Sequence, residues 1–453
     1  MIQFKKALNE YAAVRWGILI LVGFILSVNY YFYDAFSTLK GLLTQEFGFT
    51  STQYGLFVAF YSIPNTFLLM AVIGGVILDK LGIRRTGFLF VFFMAFGAFL
   101  TAYGASKSYS DGGFGYVFMQ SFLPDYSPEL KMMLLGRFFY GLGAETSIVV
   151  VSKILIKWFK GKDLALAFGL KVGFGRLGTF AALQLSPVIA DGGEHLSTAI
   201  WLAAVLVGIG LLAMIIYILF DTKLNSQIKV VEEKSDKDSF KMSDIYKIVG
   251  NKTFIYIALL CVTFYSAVFP FMAFAPDFFY NKFGMDYELS GQIASLLPLG
   301  TLIFTPLFGF LIDKYGKAAS AMIIGSLVLL IVHIGFTFTM IYPYVPMVLL
   351  GISFSLIPAA MWPSLVKLVD YRQMGTAYGL MYSIQNLGLF ATPIAAGAIL
   401  DATNPGNPDT LNYTATMSMF VILGVFGFIF AILLKREDMK SGLGVDLPMN
   451  RDK

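Results

Sequence analysis

Glu145 and Arg176 are the residues best placed to do chemistry: opposite charges deep inside two neighbouring apolar segments, 132–156 and 164–190. A short basic loop, Trp158-Phe159-Lys160-Gly161-Lys162-Asp163, joins those segments, and each is long enough to span a bilayer. With Lys160 as the turn, Glu145 lies 15 residues before it and Arg176 lies 16 after it. At about 1.5 Å rise per residue, both sit roughly 22 to 24 Å from the turn, level and near mid-membrane. An ionisable side chain at the bilayer centre costs roughly 2.5 to 3.5 kcal/mol on insertion scales, so such a pair serves either mutual pairing or a polar ligand. Bond-breaking chemistry has no comparable support. The sequence holds no His-Glu-x-x-His, Gly-x-Ser-x-Gly or Cys/His grouping, so neither an enzyme nor a metal or other cofactor is expected. His195 and His333 are read as single residues with structural or interfacial roles, without a metal-ligating partner at helical spacing.

The elements that position these charges follow from composition. A chain of 453 residues that is 57% hydrophobic and only 13% charged cannot hide its apolar surface in one soluble core, and reads as an integral membrane protein. Apolar stretches of spanning length recur about twelve times, near 14–38, 52–78, 86–105, 132–156, 164–190 and 197–220, then near 253–280, 289–312, 318–340, 344–366, 376–400 and 414–434. Each run is continuous, which implies helices and excludes the short alternating strands of a barrel. Lys5 and Lys6 precede a run too long for a signal-peptide core, so no cleaved leader is expected. With the N-terminus cytoplasmic, 25 of the 33 Lys and Arg fall in cytoplasmic loops and tails, four outside (Lys40, Lys107, Lys131, Lys282) and four within helices (Arg137, Lys153, Lys171, Arg176). The formal charge of +5 therefore reflects topology in a lipid bilayer, not a nucleic-acid footprint. Cys261 is alone, so no intrachain disulfide is available.

Internal repetition divides the chain. Gly75-Val76-Ile77-Leu78-Asp79-Lys80-Leu81-Gly82 returns as Gly309-Phe310-Leu311-Ile312-Asp313-Lys314-Tyr315-Gly316. Leu134-Leu135-Gly136 returns as Leu349-Leu350-Gly351, and Ala167-Phe168-Gly169-Leu170 returns as Ala377-Tyr378-Gly379-Leu380. The expected architecture is all-α: twelve transmembrane helices in two pseudo-symmetric six-helix halves, 1–220 and 253–434. A cytoplasmic linker, 221–252, with the polar run Val230–Asp238 at its middle joins them, and a cytoplasmic tail, 435–453, follows. Residues 107–131 read as a long outer loop rich in Ser, Gly and Tyr.

The repeated Gly-x-x-x-Asp-Lys-x-Gly element, with Arg84-Arg85 after its first copy, resembles the loop signature of the major facilitator superfamily, as does Arg137-Phe138-Phe139-Tyr140-Gly141. The resemblance implies a transporter with a cytoplasmic gate at Asp79, Arg84, Arg85, Asp313 and Lys314, and a substrate site near the midplane. Longer stretches look like the lysosomal dipeptide transporter branch of that superfamily. They are Gly136 to Glu145, Trp158 to Lys162, Gly175-Arg176-Leu177-Gly178, Ala360-Met361-Trp362-Pro363 and Ser383-Ile384-Gln385-Asn386-Leu387-Gly388, with Asn29-Tyr30, Tyr33-Asp34 and Tyr61-Ser62-Ile63-Pro64-Asn65 earlier.

In that branch an acid and an arginine at the positions of Glu145 and Arg176 hold the two ends of a dipeptide. The residue chemistry agrees: arginine presents a planar fork to a carboxylate, and glutamate accepts from an ammonium. Packed helices lie roughly 8 to 10 Å apart and an extended residue adds roughly 3.3 to 3.6 Å, which suits short peptides. Trp362, Gln385 and Asn386 are expected to complete the site from the second half, with Tyr33, Asp34, Tyr61 and Tyr265 lining it. A purely structural ion pair is the alternative for Glu145 and Arg176. Under the repeat these align with Ala360 and Asn386, and that asymmetry favours a ligand.

Lys153 and Lys171 depart from the branch. Lys153, seven residues before the turn, is expected to snorkel to the cytoplasmic surface, whereas Lys171, 11 residues after it, adds positive charge deeper in. The leading expectation is a secondary transporter moving dipeptides by alternating access. The second is an organic-anion exchanger in which Arg176 and Lys171 hold carboxylates. Neither tail carries an acidic dileucine-type sorting run, so the expected address is a bacterial-type plasma membrane, not a lysosome, and no accessory subunit is expected.

Overall fold

The computed structural model describes residues 7–227, 242–369, 374–406 and 410–448. The polar run Val230–Asp238 and residues 449–453 of the expected tail lie outside the described residues. No strand occurs among the described residues. Among the described residues, eleven helical stretches are long and apolar enough to cross a membrane. They are α1 (Ala12–Ala35), α2 (Met70–Gly104), α3 (Pro128–Phe159), α4 (Leu164–Ala190), α5 (Leu196–Gln227), α6 (Lys252–Phe283), α7 (Leu296–Tyr315, preceded by a short helix Tyr287–Ala294), α8 (Ala318–Phe338), α9 (Tyr344–Ser364), α10 (Met374–Thr403) and α11 (Thr414–Ser441).

The expected segment 52–78 is not a single helix, and α2 carries its inner part together with the run at 86–105 across a kink, so two of the twelve expected crossings share one of these eleven stretches. That segment runs through Ser51–Ala59, a 3-10 turn Phe60–Ser62 and Ile63–Phe67, then leaves helical geometry at Leu68 (φ −100°, ψ 0°) and Leu69 (φ 52°). Its inner part opens α2, which itself turns at Gly82, where φ 76° and ψ 168° favour glycine. The apolar run at 86–105 follows that turn. Gly316, ending the second copy of the repeated loop element, also has positive φ, 72°. Turn geometry thus accounts for the closing glycine of both copies.

By packing, the chain falls into two compact units: Met1–Tyr33 with Met70–Ala182 and Ile200–Ser239, and Asp34–Leu69 with Leu183–Ala199 and Phe240–Lys453. In the first unit, helices approach through glycines. A Cβ at Gly97 would lie 2.1 Å from the backbone nitrogen of Tyr140, and one at Gly143 would lie 2.2 Å from the carbonyl oxygen of Phe90, so α2 and α3 meet backbone to backbone. In the second unit, the helix Ser51–Ala59 lies against α10. A Cβ at Gly55 would stand 2.1 Å from the Pro393 carbonyl, and one at Gly397 would stand 2.0 Å from that of Ser51. Asp401 caps this helix: its carboxylate accepts from the backbone N–H of Ser51 (2.9 Å) and Thr52 (2.8 Å) and from the Thr52 hydroxyl (2.6 Å).

Two stretches expected as loop and tail are folded. Within 107–131, short helices Lys107–Ser110 and Tyr116–Gln120 gather Tyr109 and Met119 around Met132, a small apolar core that Ser, Gly and Tyr content does not announce. The last helix reaches Ser441, where Gly442 (φ 69°) ends it, and the buried Asp438 accepts from the backbone N–H of Val445 (2.8 Å). The chain beyond packs on the turn after α7, with the Asp446 carbonyl accepting from Lys317 N–H (2.7 Å).

Overpacking a closed contact costs typically about 1 to 3 kcal/mol. Gly97→Leu should therefore lower the melting temperature of the purified protein by several degrees. Gly208→Leu, where a Cβ meets nothing within 4 Å, should leave it near the parent value.

Candidate functional site

The first unit holds Glu145 on α3 and Arg176 on α4, both half-buried. Glycines flanking Arg176 set its position: a Cβ at Gly178 would lie 2.0 Å from the Ser27 carbonyl, and one at Gly175 would lie 2.9 Å from the Tyr30 ring. The Ser27 hydroxyl donates to the Phe174 carbonyl (2.7 Å), so α4 is held on α1 and the Arg176 guanidinium stands 5.7 Å from the Tyr30 ring centroid. Glu145 lies between Gly143, pressed on α2, and Thr146, which occupies the space a Cβ at Gly74 would need. Tyr33 takes a different partner. Its carbonyl accepts from buried Arg137 (3.5 Å), whose guanidinium lies 5.5 to 5.9 Å from the rings of Tyr33, Phe32 and Tyr140.

Lys171, also on α4, donates to the Ser152 hydroxyl (2.5 Å) and lies 5.7 Å from the Phe168 ring. Lys153 pairs with Asp79 at 2.5 Å, both side chains substantially exposed. Snorkelling is thus directed at a named carboxylate.

In the second unit, Trp362 organises an aromatic cluster. Its Nε1 donates to the Tyr265 hydroxyl (2.9 Å), its ring stacks on Tyr382 (4.7 Å) and Tyr378 (5.9 Å), and its carbonyl accepts from the Tyr378 hydroxyl (2.9 Å). Asn386, 2% exposed, donates to the Tyr382 carbonyl (3.0 Å), and Gln385 is half-buried beside it. Tyr61 and Asp34 are buried in the same unit, on the stretch 34–69.

A sequence model of the Major Facilitator Superfamily matches residues 19–393 and, in a second match, 273–446. The chain belongs to this superfamily. It is 31% identical to the lysosomal dipeptide transporter MFSD1 of Bos taurus over 402 residues, 86% of this chain and 81% of that protein. The Homo sapiens MFSD1 is 32% identical over 400 residues, with the same shares of each chain covered. Among solved structures, a mutant of the nucleoside transporter NupG gives a TM-score of 0.70 at 14% identity, covering 92% of this chain and 99% of that one. A bacterial homologue of the human lysosomal transporter Spinster gives 0.69 at 15%, covering 94% and 98%. At these identities the solved structures establish the fold. The chain is a multi-pass membrane transporter of the superfamily, and not an enzyme.

The superfamily's loop residues separate in the structure. Arg84 donates to the Thr222 hydroxyl (3.1 Å) and stands 3.8 Å from Asp221, which also pairs with Lys157 (2.6 Å) and accepts from Tyr217 (2.9 Å). Arg85 and Asp313 are exposed, and Lys314 lies 5.1 Å from the Tyr315 ring. His195 corrects its sequence reading. At helical spacing with Asp191 and Glu194, it places three ligand-type atoms within 4.8 Å of one another, all on exposed residues.

One charged cluster went unread in the sequence. Lys40, counted there as an outer-loop cation, is 2% exposed, and its ammonium bonds to Asp277 at 2.6 Å. The Tyr413 hydroxyl donates to the same carboxylate oxygen, and the rings of Phe274, Tyr413 and Tyr54 lie 5.6 to 5.9 Å from the ammonium. Tyr54 in turn donates to the carbonyls of Ala273 (2.8 Å) and Phe36 (3.1 Å). The available signal was Asp277 itself, an acid six residues before the end of α6.

Removing one member of a buried ion pair strands the other and costs roughly 3 to 5 kcal/mol. Lys40→Met and Asp277→Leu should each destabilise strongly, and the double variant should be less damaging than the two single losses added. Strictly additive melting-temperature losses would show that the two groups do not depend on each other.

Proposed function

We propose that the chain moves dipeptides across the membrane by alternating access, with Arg176 holding the substrate carboxylate and Glu145 its ammonium. The carrying observation is that one packed unit presents both signs of charge at mid-span on adjacent helices, with Arg176 set by glycine contacts on both sides. The dipeptide transport named for the MFSD1 relatives supports the same ligand. Alternating access is supported by the tie of the first-half stretch 34–69 to α6 and α10, where Lys40 meets Asp277 and Asp401 caps Ser51. A cytoplasmic gate at Asp79, Arg84, Arg85, Asp313 and Lys314 is part of this proposal; Asp79 and Arg84 are each paired with a charged group of their own unit. The Lys and Arg distribution supports cytoplasmic termini. Lys171 is engaged by a neutral hydroxyl and stays available as the second cation of the competing reading, an organic-anion exchanger.

Uptake into liposomes holding the purified protein tests the assignment. Saturable uptake of a neutral dipeptide is expected, with no competition from its N-acetylated or C-amidated forms. Glu145→Gln and Arg176→Lys should each reduce uptake at least about tenfold, as loss of a charge-assisted bond implies. Saturable transport of dicarboxylates that neutral dipeptides do not inhibit would replace this reading with the exchanger.

A further inference from the structure

The segment joining α2 to α3 has a second face that its small core does not use. Tyr109 and Met119 are buried against Met132, whereas Phe114, Val117, Phe118, Phe122 and Leu123 are exposed, Phe114 at 92% and Phe118 at 68%. The rings of Phe118 and Phe122 lie 5.5 Å apart, and no charged residue falls between Asp111 and Asp125. Single exposed apolar residues are ordinary. Five within ten residues make a patch, and such patches mark an interface.

The preceding crossing indicates what covers this patch. On α2, Phe88, Phe92, Phe96, Phe99 and Tyr103 follow at intervals of four, four, three and four residues, one stripe of a helix. Rings stack along it, Phe88 on Phe92 at 6.3 Å, Phe92 on Phe96 at 6.1 Å and Phe99 on Tyr103 at 6.1 Å, and all four phenylalanines are exposed. An exposed stripe of aromatic side chains on a membrane crossing faces lipid. The stripe starts just after the exposed Arg85, and Tyr103 lies 18 residues beyond that arginine. At about 1.5 Å per residue this is about 27 Å, against a hydrocarbon core of about 30 Å. Tyr103 therefore stands at the far boundary, the level at which tyrosines concentrate.

The patch is fastened to that end of the stripe. The Tyr103 hydroxyl donates to the Phe114 carbonyl (3.5 Å), and a Cβ at Gly113 would lie 2.6 Å from the same hydroxyl, so only glycine admits the contact. Tyr103 and Tyr116 also pack on the small core. At the other edge, the Lys131 ammonium donates to the carbonyls of Phe122 (2.6 Å) and Leu123 (3.3 Å) and lies 4.9 Å from the Phe122 ring. All of these residues belong to the first unit. The exposed face of the segment is thus continuous with the lipid face of α2.

We propose that Phe114, Val117, Phe118, Phe122 and Leu123 insert into the boundary between headgroups and acyl chains, so that this segment anchors on the bilayer surface. Recognition is apolar, because the stretch between Asp111 and Asp125 offers no charge to an anionic lipid. A zwitterionic phosphatidylcholine surface therefore suffices.

Spin labels on Phe118→Cys and Ser110→Cys in the full chain, held in phosphatidylcholine liposomes, test the anchor. Cys261 is buried, so the parent treated alike gives the background. Collisions with lipid-soluble oxygen, relative to those with a water-soluble nickel chelate, should be several-fold more frequent at 118 than at 110, which is exposed beside Asp111. Val117→Cys, a smaller loss of apolar surface, should repeat the result at 118. Preferential collision with the nickel chelate at both 117 and 118 overturns the anchor. Labels at both positions shielded from oxygen and chelate alike would show protein covering the patch, a second copy of this chain in these liposomes, and would equally overturn it.

Discussion

Hydrocarbon offers no hydrogen bonds, and most of the structure follows from that one constraint. Backbone groups satisfy themselves best inside helices, so the described chain crosses in helices, the break at Leu68 and Leu69 apart. Lipid gives helices no hydrophobic reason to associate, so they associate by closeness, with Gly97, Gly143 and Gly178 bringing backbone against backbone. Polar side chains obey the same rule. Thr101 donates to the Gly97 carbonyl (2.9 Å), Ser27 to that of Phe174, and Ser353 to that of Gly325 (2.8 Å).

The same constraint explains how the second unit joins stretches far apart in sequence. Lys40 brings a full charge into a buried site, and it is stable there because Asp277 neutralises it, Tyr413 completes the carboxylate, and three aromatic faces line the ammonium. Asp401 does the equivalent for a helix end, supplying negative charge where Ser51 and Thr52 present bare N–H groups. Both contacts fasten the stretch Asp34–Leu69 to residues more than 200 positions later within the same unit. A transporter that alternates access must release such ties at one end while forming others, and charged or capped contacts suit that use because water can take over either partner once they separate.

Apolar run length made nearly every crossing legible, because twenty apolar residues have few other fates. One crossing is instructive. Leu68 and Leu69 break the second crossing, yet two leucines carry no local signal of non-helical geometry, and the break is decided by what packs around it. Arg176 and Glu145 were legible as charges at equal depth, while the contact of Arg176 with Tyr30 depends on Gly178 meeting Ser27 across 151 residues. Lys40 was misread as a loop cation because counting rules record where a residue falls in the chain and say nothing of its packing. The folded outer loop escaped for a similar reason: its core needs Met132, which the pattern assigns to the following crossing.

Charge balance within the first unit bears on which ligand the transporter takes. Among the deeper groups of α3 and α4, Arg137, Lys171 and Arg176 are cationic and Glu145 is anionic. The three cations are not equivalent. Arg137 is 1% exposed, donates to a backbone carbonyl and lies beside three aromatic rings. Lys171 has a hydroxyl partner, and Arg176, with one ring face beside it, is half-buried. A zwitterion needs one cation and one anion held apart, the roles proposed above for Arg176 and Glu145. A dianion needs two cations and gains nothing from Glu145, which would repel it. The acid, not the arginine, is therefore the discriminating residue, because the anion-exchanger reading has no use for a carboxylate at that depth.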